Sequence, residues 1–71
     1  MEAFYLREED EYIKLGQLLK ACGLVEAGSV AKEEILDGWV KVNGEAEYQR
    51  GKKLRPGDIV EYEGYEVIIC K

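Results

Sequence analysis

Leu15, Leu18, Leu19 and Cys22 stand at i, i+3, i+4 and i+7, which puts four apolar side chains on one side of a helix. Gly23 follows, a residue suited to the left-handed position after a helix end. This spacing predicts a short helix over about Leu15–Cys22. A second helical pattern covers about Ser29–Leu36. Ala27, Val30, Ala31 and Ile35 cluster on one side of it, Ser29 stands near its start, and Gly38 ends it. Glu34 falls inside the apolar arc. The simplest placement is the edge of that arc, where its carboxylate reaches water or a cation such as Lys14. A buried catalytic carboxylate would need a partner acid or base, and none is apparent.

Elsewhere the period is two. "WVKVN" (39–43) puts Val40 and Val42 on one face and Trp39, Lys41 and Asn43 on the other, and Asn-Gly then turns the chain. "EAFYLR" (2–7) has the aromatic and aliphatic character of a strand, and "EEDE" (8–11) reads as a solvated connector. "GEAEYQRGKKL" (44–54) holds a short return strand and a basic loop. "RPGD" (55–58) is a turn, in which proline presets φ and glycine frees the next position. "IVEYE" (59–63) and "YEVIIC" (65–70) are strands separated by a tight break at Gly64. The predicted order is β-α-α-β-β-β-β. That is an α+β fold: two short helices on a small, mostly antiparallel sheet of about five strands. Residues 2–7 and 65–70 are expected to be neighbours, since each alone would leave apolar groups exposed.

A chain of 71 residues with no repeat and no linker reads as one domain, 1–71, and as a monomer. At this size the core is small, so a large multi-part active site is not expected. No apolar run approaches the about 18 residues that span a bilayer. The first residues have neither a basic start nor an apolar stretch, so a signal peptide is not expected and the expected compartment is the cytoplasm.

The net charge of −5 argues against a nucleic-acid partner until its distribution is read. Residues 1–11 carry five acids against one base, and residues 61–71 three acids against one base. Residues 12–60 carry eight bases and seven acids, and "RGKKLR" (50–55) packs four cations into six positions. Local potential, not the total, decides where a polyanion docks. Lys52 and Lys53, on a predicted loop that Gly51 makes free, could follow a phosphate backbone; equally, exposed lysines are ordinary on a solvated turn.

Chemistry of other kinds has little footing. With no histidine and two distant cysteines, zinc lacks its usual ligands, and no cofactor is implied. Cys22 and Cys70 both have apolar neighbours and are expected as free thiols. There is no histidine base, no threonine and one serine, Ser29, which nothing marks as activated. No P-loop or G-x-G-x-x-G fingerprint is present, so no enzyme is expected. Trp39 could stack on an unpaired base beside Lys41, but packing over the second helix is the simpler expectation for so small a core.

The series K-L-G-x-L-L-x(3)-G-L-x(6)-A-K-x(2)-I-x(2)-G-x-V-x-V-N-G, then a basic loop and P-G-D-x-V, resembles the S4 RNA-binding domain, named after the fourth protein of the small ribosomal subunit. Leu15, Leu19, Gly23, Leu24, Ala31, Ile35, Gly38, Val40, Val42, Asn43, Gly44, Gly57 and Asp58 carry the match, over about residues 13–60. The short form is similar to the stand-alone YaaA/YbcJ-like group of bacterial S4 proteins. The resemblance implies an αL-type RNA-binding motif, with RNA lying across the helices and the nearby hairpin. It places Lys14, Lys32, Lys41 and Asn43 on that surface, flanked by Arg50, Lys52, Lys53 and Arg55. The implied partner is structured RNA, ribosomal RNA or a ribosomal particle first. The family's usual Leu-Asp at the first helix is Leu15-Gly16 here, its Ser-Arg at the second is Ala27-Gly28, and an aliphatic place is Glu34. The rival reading is an acidic protein-interaction module, in which "REEDE" (7–11) and "EYEGYE" (61–66) face a basic partner such as a ribosomal protein.

Overall fold

Asn43 and Gly44 turn the chain as their residue types demand. In the computed structural model, which describes residues 1–71, they have φ of 53° and 85°. Two left-handed residues in succession make the hairpin turn that matches strand twist. They join β3 (Lys41–Val42) to β4 (Glu45–Ala46), with Val42 opposite Glu45. The ladder is shorter than the expected 39–43, but the alternation holds: Val40 and Val42 are buried while Trp39 and Lys41 are exposed.

The remaining elements are β1 (Glu2–Tyr5), β2 (Ile13–Lys14), α1 (Leu15–Ala21), α2 (Gly28–Leu36), β5 (Lys53–Leu54), β6 (Ile59–Tyr62) and β7 (Tyr65–Cys70). Five strands form one sheet in the order β1-β7-β6-β3-β4. Only β1 and β7 run parallel, with Phe4 opposite Ile69; the first and last strands are neighbours, as expected. The sheet of β2 and β5 was not anticipated. Ile13 pairs with Leu54 and Lys14 with Lys53, so part of the expected basic loop is strand. Two-residue strands have no period to read, and their pairing is a tertiary event.

Both helices end alike. After α1, the Gly23 amide donates to Lys20 and the Leu24 amide to Leu19; after α2, Gly38 donates to Ile35 and Trp39 to Glu34. Gly23 and Gly38 have φ of 73° and 83°, which completes a Schellman motif at each end. Cys22 is thus the cap of α1, not its last residue.

The core draws Leu15, Leu18 and Leu19 from α1, Ala31 and Ile35 from α2, Leu54 from β5, and Val42, Val60, Tyr62, Val67 and Ile69 from the large sheet. No polar or charged residue is buried in it. Trp39 corrects the expectation of packing. It is 66% exposed, because leucine, isoleucine and valine already fill the space beneath the helices. Glu34 is half-buried and faces the Tyr62 phenol rather than Lys14. Cys22 and Cys70 are free thiols. Burial, with the nearby Glu2 carboxylate, pushes the Cys22 thiol up from its ordinary range.

A side-chain lock ties the hairpin to the following turn. Asn43 Nδ2 donates to Asp58 Oδ1 at 3.0 Å, and Asn43 Oδ1 accepts from the Ile59 amide at 2.9 Å. Asp58 Oδ2 accepts from the Arg55 amide at 2.8 Å, closing the turn that Pro56 and Gly57 shape. Asn43→Gly keeps the backbone freedom and deletes both side-chain bonds. It should cost about 1–3 kcal/mol in urea unfolding, the range for removing hydrogen bonds of which one reaches a charged acceptor.

Burial, followed by the carboxylates of Glu34 and Glu63, pushes the Tyr62 phenol from 10.0 up to about 12. In the unfolded chain the phenol ionises first, so between these values the unfolded state holds fewer protons. The stability linked to Tyr62 is therefore fully present below pH 10 and is lost as pH rises toward about 12. Tyr62→Phe should remove a step near pH 12 from the tyrosinate absorbance titration and flatten the fall in unfolding free energy across that window.

Candidate nucleic-acid interface

The first turn of α1 has amide groups with no helical acceptor, as every helix start does. Lys14 stands at its cap position, and an ammonium side chain cannot accept a hydrogen bond. The missing acceptors come from the basic segment. The Leu15 amide donates to the Lys52 carbonyl at 2.9 Å and the Gly16 amide to the Arg50 carbonyl at 3.0 Å. The Lys14 amide donates to Gln17 Oε1 at 3.3 Å. Gly16 is needed for this close approach, because a Cβ there would meet Arg50 Cγ at 2.7 Å. Glycine at 16 thus lets the Arg50 stem lie against the helix.

The result is an open groove of about 370 Å³, lined by Lys14, Gln17, Lys20 and Arg50, with Gly16, Gly28 and Gly51 in its walls. It has no hydrophobic residue and no carboxylate in its lining. A few residues further along, Lys53 Nζ stands 5.0 Å and Arg55 Cζ 5.5 Å from the centre of the Tyr12 ring. Cation–π attraction holds both charges without neutralising them. Ion pairs in the molecule are confined to Arg7, with Glu9 and Asp10. Lys71 Nζ donates to the backbone carbonyls of Arg7, Glu8 and Asp10. The cations from Lys14 to Arg55 are free of carboxylate partners.

The structure brings together some of the residues singled out in the sequence and separates others. Lys14 and Arg50 share the groove, Lys52 is exposed on the segment docked above it, and Lys53 and Arg55 flank Tyr12. Lys32 is exposed on α2 and does not line the groove. Lys41 lies elsewhere, in a groove with Trp39, Glu61, Glu63 and Glu66. Asn43 serves the turn through its positive φ, as expected first for it, and its carboxamide is committed to Asp58 and Ile59. Lys20, Gln17 and Tyr12 were not singled out. Lys14, Gln17 and Lys20 recur every three residues on the side of α1 away from its leucines, so helical spacing carried the signal.

A larger groove of about 770 Å³ lies between β1, the 7–12 connector and α1. Glu9, Asp10 and Glu11 line it beside Phe4, Leu6 and Ile13, a mixture that suits neither phosphate nor a wholly apolar ligand. No set of three acidic or cysteine side chains is placed to hold a metal ion. No helix is long and apolar enough to cross a membrane.

Comparison with known proteins identifies the family. A Bacillus subtilis (strain 168) protein named "Probable ribosome maturation protein RlbA" is 42% identical over 57 residues, which is 80% of this chain and 80% of that one. YbcJ of Escherichia coli (strain K12) is 38% identical over 56 residues, 79% of this chain and 80% of that protein. The solution structure of YbcJ, described as revealing an αL motif involved in RNA-binding, superposes with a TM-score of 0.75 at 34% identity, covering 100% of this chain and 89% of that one. The family model of the S4 domain matches residues 6–70. With that match spanning both helices and every strand but β1, the chain belongs to the S4 domain family.

Proposed function

We propose that this protein binds structured RNA, with ribosomal RNA as the target, and acts in the assembly or maturation of a ribosomal particle as a binding module and not as an enzyme. The observation that carries the reading is the groove in which Lys14, Lys20 and Arg50 converge with no carboxylate among them. The ribosome-maturation name of the Bacillus subtilis relative and the RNA-binding description of the YbcJ structure support the choice of ligand.

The mechanism is electrostatic and follows shape. An RNA helix offers phosphates and 2′-hydroxyls across a wide, shallow minor groove. Cations on a rigid frame can track that pattern without reading bases. Here Lys14 caps α1 and Lys20 rides on it, Arg50 is held against Gly16, and Lys53 and Arg55 are held on Tyr12. Gln17 adds a neutral amide donor to the lining, its Oε1 being taken by the Lys14 amide. Acidic residues 8–11 and 61–66 repel RNA from the rest of the surface and so orient the encounter.

Titration of ribosomal RNA fragments at several salt concentrations tests this. If about four phosphates are neutralised, log affinity should fall against log salt with a slope of about −3. Lys14→Ala with Arg50→Ala should weaken binding and flatten the slope by about one to two units, and Lys52→Ala with Lys53→Ala should act in the same direction. Lys41→Ala should leave both quantities unchanged. Equal affinity and slope for wild type and the Lys14/Arg50 variant would move the site elsewhere, and no binding at low salt would end the RNA reading.

A further inference from the structure

Trp39 lies outside the core although it is the largest side chain of the protein. It is the chain's one tryptophan, it is 66% exposed, and no cation of the molecule lies over its ring. The Schellman end of α2 fixes its backbone, and the alternation of Val40 and Val42 turns its side chain away from the core. Tyr65, also exposed, lines the same groove of about 330 Å³.

The rest of that groove is acidic. Glu61, Glu63 and Glu66 line it, and Glu34 joins Trp39 and Glu63 in an adjoining one of about 380 Å³. Strand register places Lys41, Glu61 and Glu66 in one row across the sheet. Lys41 is the one cation in that lining, and none of these carboxylates is in an ion pair. The surface thus combines an open aromatic face with an excess of negative charge, three glutamates against Lys41, and it shares no residue with the basic groove.

We infer that this aromatic and acidic face docks an arginine-rich polypeptide segment. Charge complementarity excludes RNA, whose phosphates the glutamates repel. It also disfavours a second copy of this face, which would set glutamates against glutamates. An arginine meets both halves of the surface. Its planar guanidinium stacks on an indole and at the same time donates to carboxylates, which a compact ammonium does less well. The inference does not rest on RNA binding, and the two surfaces can be tested separately.

Trp39 is its own reporter. A synthetic arginine–glycine repeat peptide, titrated into the wild-type protein, should shift Trp39 emission. A counterpart with citrulline in place of arginine should not. Followed by calorimetry, Trp39→Ala should weaken peptide binding by about tenfold, the scale of one desolvated cation–π contact. Trp39→Phe should weaken it less, and Glu61→Gln with Glu66→Gln should weaken it comparably to Trp39→Ala. Glu8→Gln with Glu9→Gln, on the connector, should leave it unchanged. RNA titration curves should be the same for wild type and the Trp39 variants. Peptide affinity that survives Trp39→Ala overturns the inference. So does loss of RNA affinity in that variant, which gives the face to RNA, or emission that shifts with protein concentration alone, which gives it to a second copy.

Discussion

Two backbone hydrogen bonds, from the Leu15 amide to the Lys52 carbonyl and from the Gly16 amide to the Arg50 carbonyl, hold the remaining structure in register. Through them a helix of seven residues finds acceptors that its own cap residue cannot supply. They also bring the 50–54 segment down so that Lys53 and Leu54 pair with Lys14 and Ile13. Leu54 is then fully buried against the helices. In a core this small, one leucine is a sizeable share of the apolar area removed from water. The constraint that fixes the helix start thus also fixes the basic segment and closes the core.

The same constraint explains how an acidic protein keeps a basic site. The molecule measures 31 × 22 × 18 Å, and at physiological salt charges are screened over about 8 Å. Surfaces on such a body respond to their own residues more than to the net charge of −5. The acid in residues 8–10 is also partly accounted for locally. Arg7 pairs with Glu9 and Asp10, while Lys71 ties down the carbonyls of the same turn. Between Lys14 and Arg55 the cations have no such partners.

The parts of the fold that were legible in the sequence are those governed by local rules. The leucine spacing of α1, the glycines that end both helices, the Asn-Gly hairpin and the valine alternation all follow from residues a few places apart. Adjacency of the first and last strands followed from the need to cover apolar groups. The pairing of β2 with β5 was not legible, because two residues show no period and the partners are 39 to 41 positions apart in sequence. The site split along the same line. Arg50 and Lys14 were both visible as cations, but their convergence depends on Gly16, whose importance is steric and invisible in composition. Lys41 looked equivalent to Lys14. Register sets it beside Glu61, in different company. Trp39 was expected to pack because small cores need bulk, and that argument failed because Leu15, Leu18, Leu19 and Ile35 supply the bulk.

How the cations are held bears on what they can do. An ion pair would order a lysine or arginine, but it would also cancel the charge that a phosphate must meet. This chain orders Arg50 by steric fit against Gly16 and by docking of its backbone, and it orders Lys53 and Arg55 on the face of Tyr12. Each device restricts side-chain freedom before a ligand arrives, so less conformational entropy remains to be lost on binding. Each leaves the charge available. Gly16 would therefore serve the proposed RNA site although it has no chemistry of its own. A methyl group at that position would displace the Arg50 stem, and the arginine would have to be ordered again by the ligand itself.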